Sequence, residues 1–483
     1  MVGLGVLFAR LIEPLGLSAV VIVPALLVLV FVLPASLVQG LTRFRDLRKQ
    51  LTWWHAVWLF VFLSGFQFRL RDVQDITHAA VDSGALYRIA LMAITALVLG
   101  AAQSLKRIPW IGPSFSGLVG LLAAYGLVSA TSTLWSVYPA WTLYKSFEYL
   151  LDVVLLAVIL AVARSARAYK TLLDWTWTLT GVLLGCVWLG VVVWPGEALQ
   201  ASRGLISFQL YGVMPQVSAN GVGELGAVMA IVALSRLLLR RRGNSGRAFY
   251  SLVLLLALAT MVIAQTRSAI IGFLLGLVLL LYFSKRLGPI FLLIAVVILL
   301  ASLINIGGLA EEYLRRGQSD ELVGNLSGRT IWWDAAWDVF MKNPWIGAGA
   351  YTSRFTVLAK LGDLEASSVH NTYLETLVGV GIIGLLPVLA ALVGVWKILL
   401  GAVRRKWFSS LERELAIETL AVLGIITCRS FFTGTLVLHP DLESLAVLGY
   451  AELLRQRWKQ GDVAVHGNER VLCHEAQGDI ASL

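Results

Sequence analysis

His370 and Asn371 close a long polar segment and stand directly before an apolar run that carries Gly379, Gly381 and Gly384. An imidazole at the edge of an apolar span can take a proton from a hydroxyl or orient it, although a lone histidine is more often structural. Five cations accompany it, Lys145, Arg203, Arg267, Arg329 and Arg429, all toward the same side of the chain's apolar runs. Guanidinium groups around a low-dielectric pocket suit a diphosphate, because arginine makes paired, charge-assisted bonds to phosphoryl oxygens. Ionisable groups in or beside membrane spans are costly and are functional candidates by default. Lys145, Glu148 and Asp152 recur on one helical stripe, the first two spaced to pair, an arrangement that suits packing and a ligand contact equally. Asn220 and Glu224 share a face, Arg267 sits in the short turn Gln265-Thr266-Arg267-Ser268, Arg429 lies deeper in its span, and Glu375 follows His370. No Asp-x-Asp pair, Walker A loop or zincin motif accompanies them, so phosphate chemistry is expected to rest on arginine, with neither metal nor cofactor.

Membrane helices must position these residues. Of the 483 residues, 58% are hydrophobic and 14% charged, with a mean hydropathy of +0.79; soluble domains carry about a quarter charged residues. Apolar runs of roughly 20 residues, the length that crosses about 30 Å of hydrocarbon, are centred near Leu27, Phe60, Ala96, Leu122, Leu155, Leu184, Ala230, Leu256, Leu277, Val296, Leu386, Val422 and Val447. They predict an all-α polytopic transmembrane bundle of about 12–13 helices. The net charge is +10, and basic clusters at 43–49, 106–107, 164–170, 236–247, 285–286, 404–413 and 455–459 occupy every second connection. The positive-inside rule reads them as cytoplasmic, solvated anchors at the headgroups without chemistry, which excludes a nucleic-acid surface. The three cysteines have no metal-ligand or disulfide spacing.

One outer connection, 310–372, is long and slightly acidic, as functional loops often are. Within it, 328–342 has apolar residues at helical spacing, Asp334 and Asp338 on one face, Ser327 as N-cap and Asn343-Pro344 as a stop. Trp332, Trp333 and Trp337 suit a helix lying at the headgroup level as an interfacial anchor. Arg329 falls in the first turn, where the helix dipole disfavours a cation, which implies an anionic partner. Pro344 to Gly349 supplies a tight turn for the returning chain.

His370-Asn371 followed by Gly381-Ile382-Ile383-Gly384 resembles the histidine motif that ends the large periplasmic loop in the O-antigen ligase and Wzy polymerase superfamily of bacterial membrane glycosyltransferases. The Arg329 helix, Pro344 to Gly349, the Thr266-Arg267-Ser268 turn, Asn220 and Trp135 to Pro139 fall in that family's order, so the likeness covers about residues 51–458. It implies a GT-C type fold in the bacterial inner membrane, an active site on the periplasmic side, a donor glycan on undecaprenyl diphosphate, and metal-independent, inverting transfer to an acceptor hydroxyl. It further implies Arg267 and Arg329 on the diphosphate and His370 at the acceptor hydroxyl, as base or orienting group. Lys145, Arg203, Asn220, Glu224, Asn371, Glu375 and Arg429 are then candidate substrate contacts. Lys145 stands where relatives often place an arginine, and Asn220 lacks the common preceding proline, departures that touch secondary contacts.

The expected layout is an extra N-terminal helix and basic loop (1–50), a membrane core (51–309), the periplasmic loop (310–372), C-terminal helices (373–458) and a cytoplasmic tail (459–483). Expected partners are the lipid-linked glycan, an acceptor glycan or lipid A core, and membrane lipids; other polysaccharide-assembly proteins are candidates, and nucleic acid is not. Polymerisation of exopolysaccharide or O-antigen repeat units leads, because the stretch from Trp135 to Leu150 looks more like exopolysaccharide polymerases. Ligation to lipid A core or transfer to a protein keeps the same chemistry. A solute transporter is the alternative of another class, opposed by the one-sided loop and by the lack of an internal repeat.

Overall fold

The computed structural model describes residues 19–66, 83–106, 115–202, 205–239, 246–285, 329–358, 368–405, 408–437 and 441–459, with isolated positions 108, 288, 312, 313, 315, 361 and 362. Among them run α1 (Ala19–Arg48), α2 (Trp53–Ser64), α3 (Ser83–Lys106), α4 (Gly117–Thr131), α5 (Pro139–Val162), α6 (Ala166–Val193), α7 (Ala219–Leu239), α8 (Arg247–Ile263), α9 (Arg267–Phe283), α10 (Arg329–Lys342), α11 (Thr372–Arg404) and α12 (Ser410–Ser430). A last helix, α13, covers 442–459. Each apolar run of the sequence coincides with one of these except the run near Val296, which lies outside the described residues, as do Arg203, Ser327 and the tail beyond 459. The chain is an all-α polytopic membrane protein, and its described strands are two of three residues each, β1 (Leu199–Ala201) and β2 (Phe208–Leu210), paired antiparallel with Gln200 opposite Gln209.

Five helices, α3, α4, α6, α7 and α11, are long and apolar enough to cross a membrane. Charge, not length, sets α5 and α12 apart: one carries Lys145, Glu148 and Asp152, the other Glu412, Arg413, Glu414, Glu418 and Arg429. Glu148 pairs with Lys145 and lies 3.7 Å from Arg88, and Arg429 pairs with Glu224, as a low-dielectric interior favours. Close backbone approach joins α9 to α12 through Gly272 and Gly276, where a Cβ at Gly276 would meet the Ala421 carbonyl at 2.7 Å. Small residues four apart are the usual means of such contact between membrane helices.

Polar ties lock the same core. Trp58 donates to Thr176 at 3.0 Å, Trp177 to Glu418 at 2.9 Å and Tyr169 to the Ala446 carbonyl at 2.9 Å. Arg236 corrects the reading of every basic cluster as a solvated anchor. It is 8% exposed and bonds both oxygens of Glu418 and, at 2.7 Å, Asp174. Arg455 and Arg457 likewise pair at 2.6 Å with Glu452 and Glu412, which are buried. Hydropathy placed these residues at a boundary without seeing the acids that α12 and α13 bring to them.

A broken helix and a cluster at one end of the bundle

The site grows from a break in α11. Gly381 takes φ 63° and ψ −162°, a conformation open to glycine, and interrupts the helix a few turns after its start. From there, residues 382–404 rise about 34 Å, the length of one membrane crossing. A broken helix at membrane depth must find other partners for its freed backbone groups. The returning chain supplies them: Ala348 and Gly349 N–H donate to the Val378 and Gly379 carbonyls at 2.8 Å each. In the other direction Ile382 and Ile383 N–H donate to the carbonyls of Pro344 at 2.9 Å and Trp345 at 3.2 Å. The turn from Pro344 to Gly349 is therefore a strap across the break, and a Cβ on Gly347 would lie 2.4 Å from the Gly379 carbonyl oxygen.

The strap's other edge holds the junction of α4 and α5. Val137 N–H donates to the Ala348 carbonyl at 3.2 Å, Thr142 to that of Ala350 at 2.9 Å and Trp141 to that of Tyr351 at 3.1 Å. The stretch from Trp135 to Pro139 is thus tied to the glycine motif of α11. Lys145, one turn further along α5, pairs with the buried Glu148 as its spacing predicts. Arg88 of α3 reaches the same carboxylate at 3.7 Å. Sequence reading passed over Arg88, whose only signal is an arginine inside an apolar run.

Above the break sits the His370 turn. Asn371 caps α11, its Oδ1 accepting from Tyr373 N–H at 3.0 Å and Leu374 N–H at 3.1 Å. His370, just before the cap, takes φ 55°, and its N–H donates to Ser368 Oγ at 3.2 Å. The imidazole is half-buried, with its ring 5.6 Å from that of Trp332. Trp333 donates from Nε1 to the Val369 carbonyl at 3.0 Å, and Glu375 accepts the Val369 N–H at 2.6 Å. Two of the three tryptophans read as headgroup anchors therefore face the histidine turn, and Trp337, 50% exposed, remains on the outer face of α10. Arg329 opens the described part of α10, three and four residues before this pair and so on the same side of the helix.

A second group lies where α7, α9 and α12 meet. Arg267 begins α9, and its Nη2 donates to the Arg315 carbonyl at 3.3 Å. Thr266 anchors that turn by donating to the Ala219 carbonyl at 2.9 Å, beside Asn220. Arg429, 1% exposed, donates to Ser268 Oγ at 3.0 Å and pairs with Glu224 at 2.9 Å. The two groups are joined, because Thr372 Oγ1 donates to the Thr433 carbonyl at 2.9 Å and Tyr373 bonds Ser430, the neighbour of Arg429. His370, Asn371, Glu375 and Arg329 thus form one arm and Arg267, Asn220, Glu224 and Arg429 the other, with Lys145 attached through the strap. Among the described residues no group of three His, Cys, Asp or Glu side chains could hold a metal ion.

An imidazole with Arg329 at a helix start on one arm, and Arg267 at a helix start on the other, can serve a reaction in which a hydroxyl loses a proton and an anion departs. Residues 252–389 match the O-antigen ligase family model, a span that holds Arg267, Arg329, His370, Asn371, Glu375 and the α11 break. No curated protein matches the chain.

Proposed function

We propose, from a chain whose residues 252–389 carry the O-antigen ligase family domain, that this membrane enzyme transfers a glycan from undecaprenyl diphosphate to an acceptor sugar hydroxyl on the periplasmic side of the inner membrane. The observation that carries the reading is the meeting of α10 and the His370 turn, Trp332 lying against the imidazole one turn from Arg329. The acceptor oxygen attacks the anomeric carbon and its proton passes to His370. The bond from that carbon to the diphosphate breaks, and its electron pair leaves on the phosphoryl oxygen, where Arg267 and Arg329 meet the growing charge. The donor already holds a good leaving group, so positioning, proton removal and charge stabilisation suffice without a metal, and displacement inverts the anomeric centre.

The preferred acceptor is the growing end of an exopolysaccharide or O-antigen chain. The strap supports this assignment by joining the polymerase-like stretch from Trp135 to Leu150 to the His370 arm. The test uses purified protein with a defined undecaprenyl-diphosphate oligosaccharide and, in parallel, oligosaccharide and lipid A core acceptors. His370→Ala and Arg329→Ala are each expected to cost about 10²–10⁴-fold in transfer. Full transfer by both inserted variants would sink the reading. Extension only of the lipid A core would keep the chemistry and replace polymerase with ligase.

A further inference from the structure

Val369, the residue before His370, is held at every point it offers. Its N–H donates to Glu375 Oε1 at 2.6 Å from the first turn of α11, and its carbonyl accepts Trp333 Nε1 at 3.0 Å from α10. Its side chain is fully buried against Ala336, Val357, Leu358 and Val378. The Ser353 and Ser368 hydroxyls lie beside the Glu375 carboxylate and fix it in turn. On the other flank Asn371 is fixed by its two cap bonds. His370 between them adopts φ 55°, a left-handed conformation that a non-glycine residue keeps only where its surroundings over-determine it.

We propose that Glu375 and Trp333 are positioning residues for His370, gripping the preceding peptide from two different helices and so fixing where the imidazole stands. The proposal rests on the reading that His370 acts at the acceptor hydroxyl. It assigns Glu375 an inward task in place of the direct substrate contact expected from sequence. A carboxylate accepting a peptide N–H makes a stronger bond than a neutral acceptor, and an indole N–H from a second helix sets the angle a single bond would leave free. The grip also makes the Arg329 helix and the histidine one body, since Trp333 lies one turn from Arg329.

Small displacements of a catalytic group cost about 10²-fold in rate without weakening substrate binding. The experiment compares Glu375→Ala, Glu375→Gln, Trp333→Phe and His370→Ala in the purified full chain, with a defined undecaprenyl-diphosphate oligosaccharide as donor. Thermal midpoints are read alongside. Glu375→Ala and Trp333→Phe are expected to lower kcat by roughly 10²-fold with KM for the donor unchanged. Glu375→Gln retains a carbonyl acceptor for Val369 N–H and is expected to restore most of the turnover. If Glu375→Ala fails to fold, Trp333→Phe, which keeps the ring and removes only the donor, carries the test. Full turnover in Trp333→Phe and Glu375→Ala, a loss confined to KM, or a Glu375→Gln protein as slow as Glu375→Ala each overturns the proposal. Loss of transfer in His370→Ala alone would leave the reaction standing and remove the grip, whereas an active His370→Ala protein would remove the reaction reading itself.

Discussion

The hydroxyl of Tyr373 lies 2.8 Å from that of Ser430, and through this contact the turn that carries His370 is fastened to the end of the helix that carries Arg429. Tyr373 also packs its ring 4.9 Å from Phe431, so the tie has a polar and an apolar part. Tyr373→Phe removes only the first. A net hydrogen bond contributes about 1 kcal/mol, so the thermal midpoint should fall by at most about 4 °C. Transfer should slow by no more than about tenfold. Calorimetry and a transfer assay on the same preparation check both, and an unchanged midpoint would show that the Tyr373 tie rests on its ring contact and not on its hydroxyl.

Gly381 offers a harsher test of the strap. A Cβ there would stand 2.4 Å from the Trp345 carbonyl carbon and oxygen, both of them backbone, and the residue's φ of 63° is itself unfavourable for alanine. Gly381→Ala should therefore cost several kcal/mol and abolish normal insertion, beyond the usual range for single substitutions. Gly185 of α6 supplies the control, since nothing lies within 4 Å of its Cβ position. Gly185→Ala should leave yield unchanged or raise it slightly, because alanine is the better helix former. Equal yields of the two variants would refute the strapped break.

The contrast between these glycines shows what the chain discloses when read alone. Runs of roughly 20 apolar residues announce the helices directly, because membrane thickness imposes their length. The His370-Asn371 motif and its glycines are local patterns as well, and so is the pairing of Lys145 with Glu148. The break is not, since the conformation of Gly381 depends on a partner segment more than thirty positions away, Pro344 to Gly349. The contacts of Trp332 and Trp333 with the histidine turn are hidden for a similar reason: an indole facing headgroups and one facing such a turn have identical spacing. Arg88 and Arg236 gain meaning only from acids on other helices.

Glu224 and Arg429 form an ion pair in which the guanidinium is 1% and the carboxylate 22% exposed. Removing one member leaves an uncompensated buried charge, at about 3–5 kcal/mol, whereas replacing both by apolar residues is often neutral. Glu224→Leu should therefore lower the thermal midpoint clearly, and the Glu224→Leu, Arg429→Met double variant should recover most of it. Thermal unfolding of the unsubstituted protein, Glu224→Leu, Arg429→Met and the double variant in one detergent decides. Additive losses would mean that the pair contributes nothing as a pair.

Arg236 separates structural from topological charge most directly. It belongs to a cluster that the positive-inside rule reads as a topological label, yet its guanidinium spans Asp174 of α6 and Glu418 of α12 from its place on α7. Glu418 also accepts from Trp177 at 2.9 Å and Ser235 at 2.7 Å, so one carboxylate gathers three helices. Arg236→Ala leaves that acid and Asp174 without their common cation and should cost about 3–5 kcal/mol. Arg164→Ala, at an exposed position whose Nε donates only to the nearby Ala161 carbonyl, should stay within about 0.5 kcal/mol. Topology should survive both substitutions, because the remaining basic residues of each cluster still direct insertion. Thermal midpoints and accessibility labelling of the connections separate the two effects: a flipped topology in Arg236→Ala would return this residue to the ranks of the anchors.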